Sequence, residues 1–320
     1  MDVEDRHHRR DEAHRRVIRQ RRLVAGLVLL VPALVIAIVV LSTGGGSDSE
    51  ERKKAAPKPP SLPDGTRAIF PGHRVVAFYG APQNDELGEL GIGTPAQAAR
   101  RLRKVTTQYK RPGTPVLPAF ELIATVAAAH PGDDGKYRYR QRKGVIRRYL
   151  AAARKAGAIL LLDIQPGRAD FVSEAKYFRE FLEEPDVSLA LDPEWRMGPA
   201  EVPGQVIGQV DVREVNRVSK WLSGIVRRKN LPQKLFVLHQ FVDDMLPDKD
   251  KLEKRYGLAT VLNVDGFGTP PQKLDKYREF TRPREFKHYG YKLFYREDTD
   301  LMKPSEVLRM RPRPKLVIYE

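Results

Sequence analysis

The sequence has 320 residues, of which 57 are Lys or Arg and 41 are Asp or Glu, so its formal net charge is +16. Cysteine is absent, which excludes disulfides, Cys-ligated metals and a lipidated-cysteine anchor. Residues 1–22 contribute +3, and the other +13 is spread without a long Lys/Arg block, zinc-finger spacing or an RNP-like aromatic run, so we expect no nucleic-acid partner.

Residues 23–41 read LVAGLVLLVPALVIAIVVL and contain no charged or hydrogen-bonding side chain. At ~1.5 Å per residue, a helix of this length crosses a ~30 Å hydrocarbon core. Five arginines between positions 15 and 22 precede the run, whereas Ser, Thr and Gly follow it, so the positive-inside rule places the N-terminus in the cytoplasm. We therefore expect a single-pass membrane protein whose C-terminal domain is extracytoplasmic.

A cleaved signal peptide and a buried core helix are the alternatives to a retained anchor. The apolar run exceeds the ~7–15 residues usual for a signal peptide, and no A-x-A-like cleavage site follows it directly. An all-round apolar helix beside five arginines also fits a soluble core badly. The retained anchor is therefore the favoured interpretation.

Residues 42–66 are rich in Gly, Ser, Lys and Pro, which is typical of a linker that begins flexible and becomes stiffer. The 254 residues that follow are close to the ~250 typical of one (β/α)₈ barrel. The predicted organisation is a basic tail (1–22), a transmembrane helix (23–41), a linker (42–66) and a barrel domain (67–320).

In the last of these segments, short apolar, β-branched or aromatic runs alternate with helical stretches. This alternation predicts a parallel sheet with crossover helices, and eight such units close a barrel. The predicted fold class is therefore α/β, a (β/α)₈ TIM-type barrel. An open doubly wound sheet is the alternative, but no Gly-rich phosphate loop follows the first run. The strand runs are residues 74–80, 116–126, 158–165, 186–195, 234–241, 258–268, 289–298 and 315–320, and the helical stretches are 94–109, 144–157, 171–183, 211–228 and 269–280.

Carboxylates stand where two neighbouring strand runs stop being apolar. In residues 186–195 one side-chain parity suits packing on outer helices, whereas the other carries Asp192 and Glu194. The run before it places Asp163 and Gln165 on the corresponding face. Because barrel active sites lie at the C-terminal ends of the strands, we expect these side chains to meet at that mouth.

Polar and aromatic residues occupy similar late positions in other runs. Aromatic faces stack on sugar C–H surfaces and carboxylates accept hydroxyl hydrogen bonds, so this composition suits a polyhydroxylated ligand. We expect no cofactor and no metal, because no closely spaced His pair exists. His239 is interpreted as a rim histidine, with a substrate-positioning group and a metal ligand as the alternatives. The predicted substrate-binding residues are Tyr79, Glu121, Gln165, Trp195, His239, Asp265 and Tyr295.

Glycoside hydrolysis needs a carboxylic acid and a carboxylate, ~5–5.5 Å apart for retention or ~6.5–9.5 Å for inversion. We predict Glu194 as the acid, with Asp163 or Asp192 as its ionised partner. The barrel region resembles membrane-anchored or secreted glycoside-hydrolase-like barrels of bacteria through residues 163–165 (DIQ), 192–195 (DPEW) and 265–268 (DGFG). The D-x-x-D-x-D-x-E run of chitinase-like barrels is absent, so no family's catalytic residues are carried over.

Two functional hypotheses follow. The first is a membrane-anchored barrel that acts on or binds a glycan of the cell envelope or the environment, as a glycoside hydrolase if the paired carboxylates are catalytic. The second is a non-catalytic barrel that binds an anionic envelope polymer or a protein partner, which the excess of basic residues favours.

Overall fold

The computed structural model describes residues 58–82, 84–282 and 285–320. Strands and outer helices alternate through most of this part of the chain, as the sequence predicts. In chain order the strands are β1 (Arg74–Gly80), β2 (Val116–Ala127), β3 (Arg138–Arg140), β4 (Ile159–Ile164), β5 (Val187–Leu191), β6 (Lys234–Gln240), β7 (Leu258–Val264), β8 (His288–Leu293) and β9 (Leu316–Tyr319). The helices are α1 (Pro95–Tyr109), α2 (Lys143–Lys155), α3 (Phe171–Tyr177), α4 (Arg179–Leu182), α5 (Val212–Arg228), α6 (Pro270–Thr281) and α7 (Pro304–Val307).

Eight of the strands are parallel and form a closed ring. β1 pairs with β2 on one side and with β9 on the other, and the remaining parallel strands connect these two in chain order. β3 lies outside the ring and pairs antiparallel with the end of β2. The ring excludes the open doubly wound alternative and confirms a closed parallel barrel with flanking helices, the arrangement of a (β/α)₈ fold.

Side-chain alternation along each strand separates two apolar layers. In β5, Val187, Leu189 and Leu191 pack in the outer layer beneath the helices, whereas Ala190 faces the barrel interior. The parity predicted for this strand is thereby confirmed. The inner layer is filled by side chains of every parallel strand except β8, so the lumen is a packed core rather than a channel.

Local sequence signals explain how the helices begin and end. Thr94 and Gln97 form a reciprocal capping box before α1, and Pro95 occupies its first turn. Gly157, at φ 67°, follows the end of α2 in the left-handed region that glycine tolerates best. The predicted single helix over residues 171–183 is interrupted at Phe178, which separates α3 from α4.

The outer ring of helices is incomplete. Residues 241–257, all of which the structure describes, contain two 3₁₀ turns but no α-helix between β6 and β7. Between β8 and β9 the only described α-helix is the single turn of α7. Irregular loops therefore cover the barrel on this side.

The chain preceding β1 closes the N-terminal end of the barrel. Leu62, in the predicted linker, is buried with Ile69 and Phe70 against the inner core layer. The backbone N–H groups of Ile69 and Phe70 donate to Gln233 Oε1 at 2.8 and 2.9 Å. The segment therefore acts as a plug at the end of the barrel opposite the strand carboxyl ends.

The predicted transmembrane helix precedes the barrel in the chain. Across the described ranges, no helix combines the length and the apolar character needed to cross a bilayer. The predicted transmembrane helix at residues 23–41 lies outside the described residues.

The N-terminal plug generates a stability prediction. Leu62→Ala should lower the free energy of unfolding by about 2–5 kcal/mol, because it removes buried apolar surface and leaves a cavity beneath the barrel. Val206→Ala is the control, since Val206 is 38% exposed, and should change it by less than about 0.5 kcal/mol. Urea unfolding measures both variants; equal stability would show that the plug does not stabilise the barrel.

Candidate functional site

Each of the eight barrel strands contributes a polar or charged side chain to one cluster at the C-terminal mouth. The side chains approach one another because they occupy inward positions at or near the carboxyl ends of neighbouring parallel strands. Most of them are less than 10% exposed, so the cluster is screened from bulk water. Its members are Tyr79, Glu121, Asp163, Asp192, His239, Asp265, Lys292 and Glu320.

His239 lies at the centre of the cluster and bridges two carboxylates. Its Nε2 is 2.8 Å from Glu121 Oε1, and its Nδ1 is 2.8 Å from Asp265 Oδ2. The amide of Asn263 donates to the other Asp265 oxygen. Burial acts to lower the pKa of His239, but Asp265 and Glu121 outweigh burial and raise this pKa well above its ordinary value.

Asp163 is fully buried and interacts with the aromatic side of the mouth. The Tyr79 hydroxyl donates to Asp163 Oδ2 at 3.0 Å, and the Gln165 amide donates to that hydroxyl at 3.1 Å. Burial raises the pKa of Asp163 to about 7, and the nearby Glu121 carboxylate adds to the rise while His239 opposes it. Asp163 can therefore gain or lose a proton near neutral pH.

Asp192 and Glu194 follow β5 directly, and Glu194 lies beside the cluster on its more exposed side. Glu194 belongs to the 3₁₀ turn Pro193–Trp195 and is partly exposed, whereas Asp192 is buried. Burial raises the pKa of Asp192 well above its ordinary value, and the negative charges of Asp163 and Glu194 raise it further. The predicted carboxylate group therefore does assemble at the ends of β4 and β5.

Lys292 supplies a second buried cation. Its Nζ is 2.7 Å from Glu320 Oε2, 3.6 Å from Asp265 Oδ2 and 3.7 Å from the centre of the Tyr79 ring. Burial acts to lower the pKa of Lys292, but Glu320 and Asp265 outweigh it and raise this pKa. Neither Lys292 nor Glu320 is among the site residues predicted from the sequence, although both share the inward parity of their strands.

Two predicted binding residues, Trp195 and Tyr295, lie outside the cluster. Trp195 is buried within the turn after β5, beside the predicted acid. Tyr295 follows the end of β8 and is 40% exposed, with its ring stacked 5.2 Å from that of Tyr319 in the outer layer. The structure therefore does not bring Tyr295 into the lumen, because the inward alternation ends with β8 at Leu293.

A long loop holds the turn that carries Glu194. The backbone N–H of Gly208 donates to Glu194 O at 2.6 Å. A Cβ added at Gly208 would lie 2.6 Å from the backbone atoms Pro193 O, Glu194 O and Arg196 N. Glycine is required here because no side chain fits between the loop and the turn.

One subset of the cluster has the composition of a metal-binding group. Of the described residues, Glu121, Asp163 and His239 bring one potential ligand atom each to within 4.8 Å of one another. Two of their carboxylate oxygens, Glu121 Oε2 and Asp163 Oδ1, are buried without a hydrogen-bond partner in the described part of the chain. Nothing in the sequence spacing pointed to this triad, since its members come from three separate strands.

Comparisons with known proteins give little guidance. No family model matches the chain, and no curated protein matches it. Among solved structures, it is similar to a GH18 chitinase from Pseudoalteromonas aurantia, at 11% identity and a TM-score of 0.37, over 77% of this chain and 93% of that one. It is also similar to a protein assigned as an alpha-L-fucosidase from Bacteroides thetaiotaomicron, at 10% identity and a TM-score of 0.36, over 86% and 91% of the two chains. At TM-scores this low, neither likeness carries an argument about this chain.

The close packing at Gly208 generates a test of how the turn is held. Gly208→Ala should lower the free energy of unfolding by about 1–3 kcal/mol, because the added methyl group must displace backbone atoms of the turn. Gly144→Ala is the matched control, since a Cβ there meets nothing within 4 Å. Thermal unfolding of the two variants measures the difference, and equal melting temperatures would contradict the packing argument.

Proposed function

We propose that this protein is a membrane-anchored, extracytoplasmic barrel enzyme that hydrolyses a glycosidic bond at the C-terminal mouth of its barrel. The observation that carries the proposal is the group of carboxyl side chains at the ends of β4 and β5, with Glu194 at the surface and Asp192 and Asp163 beneath it. Barrel active sites lie at the C-terminal ends of the strands, and glycosidic bond cleavage uses two carboxyl groups, so this group contains the pair of acids that the proposal requires.

Within this group the side chains differ in access to a substrate. Glu194 is the partly exposed acid and is assigned to protonate the leaving oxygen. Asp192 is assigned as the partner carboxylate. Burial and the charges of Asp163 and Glu194 raise its pKa, so it acts in this role only in the fraction of molecules in which it is ionised. Trp195 and Tyr79 are buried, so their rings can contact a sugar only after the covering loops move.

The depth of the mouth implies that a polymer must approach from the side of Glu194. Asp163, Asp192 and Tyr79 are all less than 5% exposed, so a substrate reaches them only if covering loops move. The loop that contacts this turn through Gly208 is the nearest candidate, because it has neither helix nor strand. Loop motion of this kind commonly gates barrel active sites.

Anchoring is the second part of the proposal and is supported by the uncharged run at residues 23–41 and the arginines before it. The plug formed by Leu62, Ile69 and Phe70 brings the chain in at the end of the barrel away from the mouth. A barrel tethered by this end presents its mouth away from the membrane. Two measurements test the topology. The barrel should stay in the membrane pellet after alkaline carbonate extraction. In a separate sample, protease added from the outside should digest it.

Substitution of the two assigned carboxyls tests the chemistry. Glu194→Gln and Asp192→Asn should each reduce the release of reducing ends from a panel of isolated cell-wall polysaccharides by ~10²–10⁴-fold, because general acid–base catalysis is lost. Asp186→Asn is the matched control: Asp186 is a buried acid at the opposite end of the same strand, paired with Arg154 at 2.7 Å. Turnover that survives in both site variants would rule out the assignment.

A non-catalytic polymer-binding barrel is the second candidate, and the net charge of +13 outside residues 1–22 favours it. Surface charge contacts are screened over ~8–10 Å at 0.1–0.15 M salt. Wall material that retains the protein at low salt, releases it at high salt and yields no cleavage product would support this candidate over the first.

A further inference from the structure

Glu121, Asp163 and His239, hereafter the mouth triad, face one another in the lumen. We propose that the mouth triad binds one divalent transition-metal cation of the class that accepts both imidazole and carboxylate ligands, such as Zn²⁺. The inference is independent of the proposed glycosidic chemistry, which assigns its acid and base to Glu194 and Asp192. It replaces the expectation from sequence that the protein has no metal site.

Unsatisfied oxygens are the first observation. Glu121 and Asp163 are 0% exposed, yet Glu121 Oε2 and Asp163 Oδ1 have no hydrogen-bond partner among the residues the structure describes. A buried carboxylate oxygen without a partner is unfavourable by a few kcal/mol and is rare in native proteins. A cation between the two side chains would coordinate both carboxylates and neutralise their mutual repulsion.

The orientation of His239 is the second observation. Its Nδ1 is 2.8 Å from Asp265 Oδ2, and the other oxygen of Asp265 accepts from Asn263. Metal-bound histidines are commonly held in this way, by a carboxylate that accepts the proton of the nitrogen that does not bind the metal. The Asp265 contact therefore assigns a proton to Nδ1 and leaves Nε2 directed at Glu121.

Distances within the mouth triad are close to those of a coordination sphere. Ligand atoms about 2.0–2.2 Å from a metal, at roughly tetrahedral to right angles, lie about 2.9–3.5 Å from each other. Nε2 and Glu121 Oε1 are 2.8 Å apart. One potential ligand atom from each of Glu121, Asp163 and His239 lies within 4.8 Å of the other two, so Asp163 approaches somewhat further on binding. The cation would take the place of the proton shared by Nε2 and Glu121, which is released to solvent.

The ligand types narrow the class of metal. One imidazole and two carboxylates suit Zn²⁺ and neighbouring first-row dications, and three protein ligands leave a position for water or substrate. Ca²⁺ is disfavoured because it takes about six to eight oxygen ligands. Asp265 has a positioning role, since it acts on the metal only through His239.

Isothermal titration of Zn²⁺ into the chelator-treated full chain in detergent tests the proposal. His7, His8 and His14 are replaced by Gln in every sample, because the N-terminal tail would otherwise supply its own metal ligands. One Zn²⁺ per chain should bind. His239→Gln and Asp163→Asn should each weaken binding by about 100-fold or more, and Asp265→Asn by about 10–100-fold. Asp186→Asn, which removes a buried acid remote from the mouth, should leave the affinity unchanged.

Circular dichroism checks that each variant is folded. If His239→Gln or Asp163→Asn does not fold, the visible absorption of Co²⁺ bound to the otherwise intact chain gives the decisive readout, because its intensity distinguishes a low-coordinate protein site from the hydrated ion. Failure of this chain to bind Zn²⁺ at one site, or binding that survives loss of His239 and Asp163, would overturn the proposal. This experiment measures Zn²⁺ binding, so neither its success nor its failure decides whether the protein hydrolyses a glycan. The release of reducing ends decides that question separately.

Discussion

Closure of the sheet determines where every side chain of the candidate site lies. Pairing of β1 with both β2 and β9 closes the sheet, so the side chains at alternate positions of each strand point inward. These inward side chains must all fit in the narrow lumen. Small residues such as Ala77, Ala119 and Ala190 fill the lower levels, and each strand contributes a polar or charged side chain at or near its carboxyl end. Groups distant in sequence then become neighbours: Glu121 contacts His239 across 118 positions of chain.

The cost of this arrangement is electrostatic. Carboxyl groups outnumber cations at the mouth, and burial removes most of the water that would solvate them. His239 and Lys292 offset part of this cost, because each contacts two carboxylates of strands that are not its own. Charged groups buried together at low dielectric raise or lower one another's pKa, and such perturbed groups concentrate at functional sites. The buried charged groups at the mouth are therefore typical of a functional site, whereas the apolar side chains of the lower lumen are typical of a hydrophobic core.

Sequence periodicity predicted the eight strands, the five main helices and the inward parity of Asp163 and Asp192, because these depend on local alternation. It did not fix the orientation of His239, since the next residue, Gln240, is polar as well and adjacent polar residues carry no parity signal. The structure turns His239 inward. Partners across the barrel could not be predicted, because they depend on which strands face each other after closure. Tyr295 was placed at the rim because its strand run was extended past the end of β8. The triad could not be found from spacing, because a sequence offers no measure of distance between separate strands.

The central claim is that the buried charges of the mouth are present for chemistry rather than for stability. The most direct measurement is the free energy of unfolding of the triple variant Glu121→Met, Asp163→Leu and His239→Leu, in which Asp265 retains Lys292 as a partner. Apolar residues of similar volume often match or exceed the stability of a buried charged group. We predict an unfolding free energy equal to or higher than that of the unmodified chain. A loss of about 3–5 kcal/mol would show that the charged cluster holds the barrel together and would contradict the account.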